Sequence, residues 1–249
     1  MVVVIDIGNT NINLSGLRGE EICFDATAPL DRSWDTERYE AVFRPILEGV
    51  KSRGAVISSV VPEVTEACRE SVRHILGCEP MVITVGMKTG LTMALPEPEK
   101  VGRDRLADAA WAAEHYPLPA VTADLGTAST FNLILPGKVF AGGVICAGLA
   151  TCLNALADRT SQLPRLSPRM PEAIVGKNTE EAMLSGAVIG TAAMVDGLVQ
   201  RIEKELGCEV TLLLTGGGGK FVTDFLQHPH VFDPDMTRKG IALLFELNS

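Results

Sequence analysis

Basic side chains are the scarcer charge in this sequence: 22 Lys and Arg stand against 31 Asp and Glu, a net charge of −9, with a pI near 5.0. A phosphate polymer or an anionic membrane surface calls for the opposite balance, so no nucleic acid and no membrane is expected as a partner. The six cysteines, Cys23, Cys68, Cys78, Cys146, Cys152 and Cys208, include no C-x-x-C pair and no histidine spacing suited to zinc, and are expected to be reduced, mostly buried thiols. His228 and His230 flank Pro229 without further ligands in reach, which favours a surface loop over a metal site. No G-x-S-x-G hydrolase motif occurs. No apolar run is read as reaching the roughly 18 residues of a membrane span, and the chain opens into a strand without a basic leader. A cytoplasmic protein is expected.

What the sequence does contain is one phrase written twice. Val4-Ile5-Asp6-Ile7-Gly8-Asn9-Thr10-Asn11 recurs as Ala123-Asp124-Leu125-Gly126-Thr127-Ala128-Ser129-Thr130, and Gly19 and Gly137 recur at the same spacing. In each copy an apolar run delivers an Asp to a strand end. The glycine that follows lets backbone N–H groups approach an anion. Asp6 and Asp124 repel phosphate, so they are expected to act through a cation or a water. A single Asp-x-Gly hairpin is commonplace. Two in register point to related half-domains facing one nucleotide.

Around each copy the pattern alternates. Val2 to Ile7, Asn11 to Leu17 and Glu21 to Ala26 are expected as three consecutive strands, followed by a helix over Trp34 to Val50 and a strand over Ala55 to Ser59. Pro62 opens a helix towards Leu76, and Met81 to Thr84 forms a further strand. The second half repeats the scheme with strands near Ala120 to Leu125, Ser129 to Leu135 and Val139 to Ile145, a helix from Leu149, a long helix from Thr179 to Leu206 and a strand at Val210 to Thr215. Thr160 to Lys177, with Pro164, Pro168 and Pro171, is expected as a loop. The hinge is placed near Ala113, giving domains 1–113 and 114–249. The plan is α/β: a duplicated actin-like (ribonuclease H-like) ATPase fold, two domains around a nucleotide cleft.

Gly216-Gly217-Gly218-Gly219-Lys220 invites comparison with a P-loop, but Leu214 and Phe221 stand where that motif requires Gly and Ser or Thr. Thr215-Gly216-Gly217 suits either the close approach of an adenine or phosphate to bare backbone, or a flexible connection. Val101-Gly102-Arg103-Asp104-Arg105 opens a helix with two arginines about a carboxylate. Arg105 is suited to grip a substrate carboxylate as a bidentate fork. Asp104 can accept a hydroxyl proton late in a loose phosphoryl-transfer transition state. A salt bridge at the helix N-terminus is the structural alternative.

These stretches resemble the type III pantothenate kinases. Asp6-Ile7-Gly8-Asn9-Thr10, Ile57-Ser58-Ser59-Val60-Val61-Pro62, Gly102 to Arg105, Asp124 to Ala128, Gly142-Gly143-Val144-Ile145, Val175-Gly176-Lys177-Asn178-Thr179 and Thr215-Gly216-Gly217 run in family order over nearly the whole chain. The resemblance implies a kinase, usually a homodimer, that transfers the ATP γ-phosphate to the terminal hydroxyl of pantothenate in the first step of coenzyme A synthesis, with Mg-ATP and a monovalent cation, K+ or NH4+. It implies that Asp6, Ile7, Gly8, Asn9, Thr10, Asn11, Ile12 and Asn13 line the ATP phosphates, that Asp6 holds hydrated Mg, and that Thr127 adds a nucleotide contact. Asp124 would hold the monovalent cation. Gly102, Arg103, Asp104 and Arg105 would bind pantothenate, Asp104 as proton acceptor, with Thr179 contributing near the dimer interface. Leu95, Arg103 and Ala147 stand where the family usually has Tyr, Ala and Pro. A kinase for another small hydroxy acid and a nucleotide-binding regulatory protein are the alternative functions.

Overall fold

The computed structural model describes residues 1–84 and 86–249. In chain order its elements are β1 (Val2–Ile7), β2 (Asn11–Arg18), β3 (Glu21–Pro29), α1 (Thr36–Leu47), β4 (Gly54–Ser59), α2 (Pro62–Leu76), β5 (Met81–Val82), β6 (Thr92–Met93) and α3 (Arg103–His115). They continue with β7 (Ala120–Leu125), β8 (Ala128–Leu135), β9 (Val139–Ala147), α4 (Leu149–Arg159), α5 (Thr179–Leu206), β10 (Thr211–Thr215), α6 (Gly219–Val222), β11 (His230–Phe232) and α7 (Met236–Asn248). Two compact units result. Unit 1 comprises Met1–Leu91, Pro96–Trp111 and Met236–Ser249, and unit 2 comprises Thr92–Leu95 and Ala112–Asp235.

Strand order shows the duplication. The sheet of unit 1 runs β3-β2-β1-β4-β5, and that of unit 2, read from its inner hairpins, runs β9-β8-β7-β10-β11 with β6 added beside β9. In both, the first three strands form an antiparallel meander and the next two pair in parallel. This is the duplicated actin-like α/β plan expected from the sequence. The hairpins differ by one residue: Ile7 pairs with Ile12 across residues 8–11, whereas Leu125 pairs with Ser129 across 126–128.

Side-chain alternation on β1 explains where its Asp points. Val3, Ile5 and Ile7 join the core beneath α1 and α2, with Tyr39, Phe43, Val64 and Cys68. Val2 and Val4 face the opposite way, into a second core made with Ala107 and Ala110 of α3 and Ile241 and Leu244 of α7. Asp6 continues that even-numbered row, so it stands at the end of the face on which α3 and α7 pack. Those helices cross closely. A Cβ on Gly240 would lie 2.2 Å from the Ala107 carbonyl oxygen, and Thr237 Oγ1 donates to Asp108 Oδ1 at 2.7 Å.

In unit 2, Val121, Ala123 and Leu125 of β7 pack with Leu149, Leu153, Val188 and Val195 of α4 and α5. Asn178 caps α5 by accepting from Glu181 N–H at 2.9 Å, while Glu181 accepts in return from Lys177 N–H at 2.8 Å. Such reciprocal capping satisfies donors that a helix start leaves open. By length and composition α5 contains an 18-residue window apolar enough to cross a membrane, which corrects the expectation that no run would be. Half of its apolar window is buried inside the protein.

The cysteine expectation also changes. Only Cys68 is buried, whereas Cys23 and Cys208 are exposed. Cys23 occupies an outward position of β3, and Cys208 follows Gly207, the C-cap of α5.

The stretch around His228 is tied down rather than loose. Its Nε2 lies 2.9 Å from Glu203 Oε1 on α5, and Asp196 accepts from the N–H groups of Gln227 and His228. Burial works against the charged imidazole, but the hydrogen bonds to Glu203 and the Pro229 carbonyl and the charges of Glu203 and Asp196 outweigh it and raise its pKa. Glu203 is lowered, first by its hydrogen bond to His228. A raised His pKa adds stability that is complete below the ordinary His value and disappears as pH rises through the raised one. His228→Gln is therefore expected to lower the melting temperature by about 2–4 °C near pH 6, for a loss of about 1 kcal/mol. That difference should shrink towards zero by pH 9 in paired thermal scans; a difference independent of pH would exclude the ion pair as its source.

Candidate functional site

Unit 1 gathers a polar row at the end of its sheet. In register across four strands stand Ser58, Asp6, Asn13 and Thr27, and Thr27 Oγ1 donates to Asn13 Oδ1 at 3.1 Å. One step along, Ser15 Oγ donates to Asp25 Oδ1 at 3.0 Å. Asp25 pairs with Arg238, at the start of α7, at 2.7 Å. The β1–β2 loop is closed by Gly8 N–H donating to the Asn11 carbonyl at 3.0 Å. Its Asn9, Thr10 and Asn11 are exposed, whereas Ile7 and Ile12 are buried in the core. Of the predicted phosphate-lining residues, those two have only backbone to offer.

The N-terminus of α3 stands over the same row. The Asp104 carboxylate folds back so that Oδ1 accepts from Arg105 N–H at 2.8 Å. A Cβ on Gly102 would lie 2.4 Å from that oxygen, so glycine at 102 keeps the carboxylate's place open. Arg103 uses its guanidinium locally, donating to the Val101 carbonyl at 2.8 Å. Arg105 is half-buried, and burial lowers its pKa against the opposing pull of Asp104.

The two carboxylates feel each other. Asp6 is pushed up to about 6, first by burial and next by the charge of Asp104, against the opposing influence of Ser58, Arg238 and Asn13. A pair of acidic groups under such strain suits a cation. Among the described residues no group of three or more His, Cys, Asp or Glu forms a metal site. Magnesium does not require one, because it keeps several waters and takes one or two carboxylates together with substrate phosphates.

In unit 2 the second copy is built differently. Asp124 is the penultimate residue of β7, and Gly126 N–H donates to the Ala128 carbonyl at 3.1 Å to form the tighter turn. Thr127 is exposed, and its carbonyl accepts from Gly148 N–H at 3.0 Å and from Thr151 Oγ1 at 2.7 Å. Gly216 has φ +85, and a Cβ there would lie 2.2 Å from Asp124 Oδ1. The glycine run after β10 thus packs bare backbone against Asp124, which a flexible connection would not do. Thr179 is the exposed first residue of α5.

Unit 1 therefore brings Asp6, Gly102, Asp104 and Arg105 together, and unit 2 carries Asp124, Thr127 and Thr179. Arg238 was not foreseen from the sequence. Nothing in its local pattern marks it, because its place depends on α7 returning to unit 1. A profile of the type III pantothenate kinases matches residues 2–201. The chain belongs to that family. The chain is 34% identical to a type III pantothenate kinase of Bacillus cytotoxicus over all of its own length and 97% of the relative's. It is 35% identical to one of Halalkalibacterium halodurans over the full length of both. Among solved structures, a Campylobacter jejuni protein described as a Baf family transcriptional activator superposes with a TM-score of 0.62 at 17% identity, over 99% of this chain and 98% of that one, a likeness of fold. As a type III pantothenate kinase the chain is a transferase. The reaction is ATP-dependent phosphorylation of pantothenate on the way to coenzyme A, with a divalent metal serving the nucleotide.

Proposed function

We propose that the residues of unit 1 carry out the transfer, Asp104 as proton acceptor and Asp6 on the nucleotide side. The observation that carries this reading is the electrostatic coupling of Asp6 to Asp104, which the fold brings from separate elements to one sheet end. Asp6 through Asn13 line the ATP phosphates, with backbone N–H groups of the β1–β2 loop approaching the anion. Bound Mg neutralises charge that develops on the phosphoryl oxygens. Asp104 takes the proton of the terminal hydroxyl as that oxygen attacks in line. Its low basicity suffices because the proton moves late in a loose transition state. Arg105 holds the pantothenate carboxylate, Gly102 keeps Asp104 in place, and Arg103 fixes the preceding turn and contacts substrate from there.

In unit 2, Thr127 supplies a nucleotide contact and Asp124 anchors K+ or NH4+. The Asp124 carboxylate lies against the bare backbone of Gly216 and Gly126, and its oxygens are the hard donors that such an ion takes. Thr179 adds a substrate contact. The chain acts as a homodimer through an open groove of about 710 Å³ along α5 and α4, lined by Leu156, Ala182, Met183, Gly186, Gly190 and Met194. The exposed Ile174 and Val175 extend the apolar surface of this unit.

The test is an assay of purified protein with Mg-ATP, KCl and pantothenate, following phosphopantothenate by mass. Product is expected in KCl or NH4Cl, with turnover at least tenfold lower in NaCl. No product despite measurable ATP binding would overturn the acceptor. Indifference to the monovalent cation would remove the role given to Asp124.

A further inference from the structure

Ser58 belongs to the Ile57 to Pro62 stretch singled out in the sequence and given no role above. It is wholly buried, at 0% exposure, and is paired in parallel register with Asp6. Its hydroxyl lies near enough to favour the ionised Asp6. Yet Ser58 Oγ completes no hydrogen bond of normal geometry among the described residues. A buried hydroxyl without a partner costs stability. Alanine would fill that position without the penalty.

The second unit repeats the arrangement. Thr215 of β10 occupies the same register position beside Asp124 and is likewise buried, at 1% exposure. Each acidic strand end thus has a buried hydroxyl on the parallel neighbour. Ordinary packing explains neither choice, since Ala55, Val56 and Ile57 before Ser58, and Leu212, Leu213 and Leu214 before Thr215, are all buried and apolar.

We infer that Ser58 is a positioning residue for Asp6: when the Mg-nucleotide binds, its hydroxyl, unsatisfied in the free protein, donates to the Asp6 carboxylate and fixes its orientation towards hydrated Mg on the nucleotide. A carboxylate at a strand end rotates about two side-chain torsions. A donor at its flank, delivered by a rigid parallel strand, selects one orientation and leaves the opposite oxygen to face the metal's waters. Partners of this kind act through the group they hold, and their loss typically costs about 10–100-fold in metal affinity. The inference rests on Asp6 serving the nucleotide, as proposed above.

The experiment is nucleotide binding by titration calorimetry, on the full chain and on Ser58→Ala, with Mg and with EDTA in its place. For Ser58→Ala we expect affinity for ATP in Mg to fall about tenfold, affinity in EDTA to stay within twofold, and the melting temperature to hold or rise by about 2–4 °C. Weaker binding in a chain that melts no earlier is a result that a merely structural serine would not give. Unchanged Mg-dependent binding in Ser58→Ala overturns the inference, as does an equal loss in EDTA or a fall in melting temperature. Equal ATP binding by the wild type in Mg and EDTA would overturn it together with the Asp6 assignment. Pantothenate is absent from these titrations, so failure of the acceptor reading is seen separately, in the turnover assay.

Discussion

Asp104→Asn is expected to lower kcat for phosphopantothenate formation by about 10³-fold, within the range that general-base groups contribute. The substitution keeps the shape of the side chain and its acceptor oxygen for Arg105 N–H, so the helix start should survive. Circular dichroism and melting temperature should match the wild type. The affinity for Mg-ATP should not fall, because removing the Asp104 charge relieves the second-largest influence holding Asp6 at about 6. The predicted signature is a dead enzyme that binds nucleotide at least as well as before. Turnover within tenfold of the wild type would take Asp104 out of the reaction.

Gly240→Val is expected to have the largest effect on stability. The added Cβ would meet the Ala107 carbonyl oxygen at 2.2 Å and its carbon at 2.5 Å. Both are backbone atoms of α3, so no side chain can swing aside. α7 must therefore lift from α3 and carry its Ile241 and Leu244 away from Val2, Val4 and Val56. Overpacking of a close helix crossing costs about 3 kcal/mol, a fall of roughly 6–12 °C in melting temperature for a chain of this size. Thermal unfolding measured by calorimetry checks the magnitude. Because α3 carries Asp104, the folded fraction should also show reduced kcat. A variant that melts within 2 °C of the wild type would mean that the crossing is looser than it stands here.

Much of this arrangement was legible from sequence because the chain states it locally. Val2 to Ile7 is apolar at every position but Asp6 since β1 is buried on both faces, which is how a central strand reads. Pro62 marks the first turn of α2 and Gly207 the end of α5, each for a reason contained in its own backbone. β11 and α7 were not foreseen. The helix spacing of Ile241, Leu244 and Phe245 is weakened by Gly240, whose absence of a side chain is required by α3 and not by α7 itself. The repeat was legible as a phrase but not in its pairing. The hairpin after Asp124 is one residue tighter, so the antiparallel neighbour of Asp6 is Asn13, whereas that of Asp124 is Thr130. For the candidate site, Asp6, Asp104 and Arg105 could be singled out by residue type and spacing, and unit 1 holds all three. The partnership of Arg238 with Asp25 arises only from tertiary contact.

The interrupted course of unit 1 bears on the order in which the protein is made. Residues 112–235 lie wholly within unit 2, so a ribosome delivers that unit's main body without interruption, and it can fold as soon as it emerges. Unit 1, begun first, must wait. Until Met236 onwards has been synthesised, Val2, Val4 and Val56 lack the α7 side chains that cover them. At about 5–20 residues per second, this leaves an apolar sheet face open for roughly 10–40 seconds of every round of translation. Nascent chains stalled just before residue 236 should therefore be the species that chaperones hold longest.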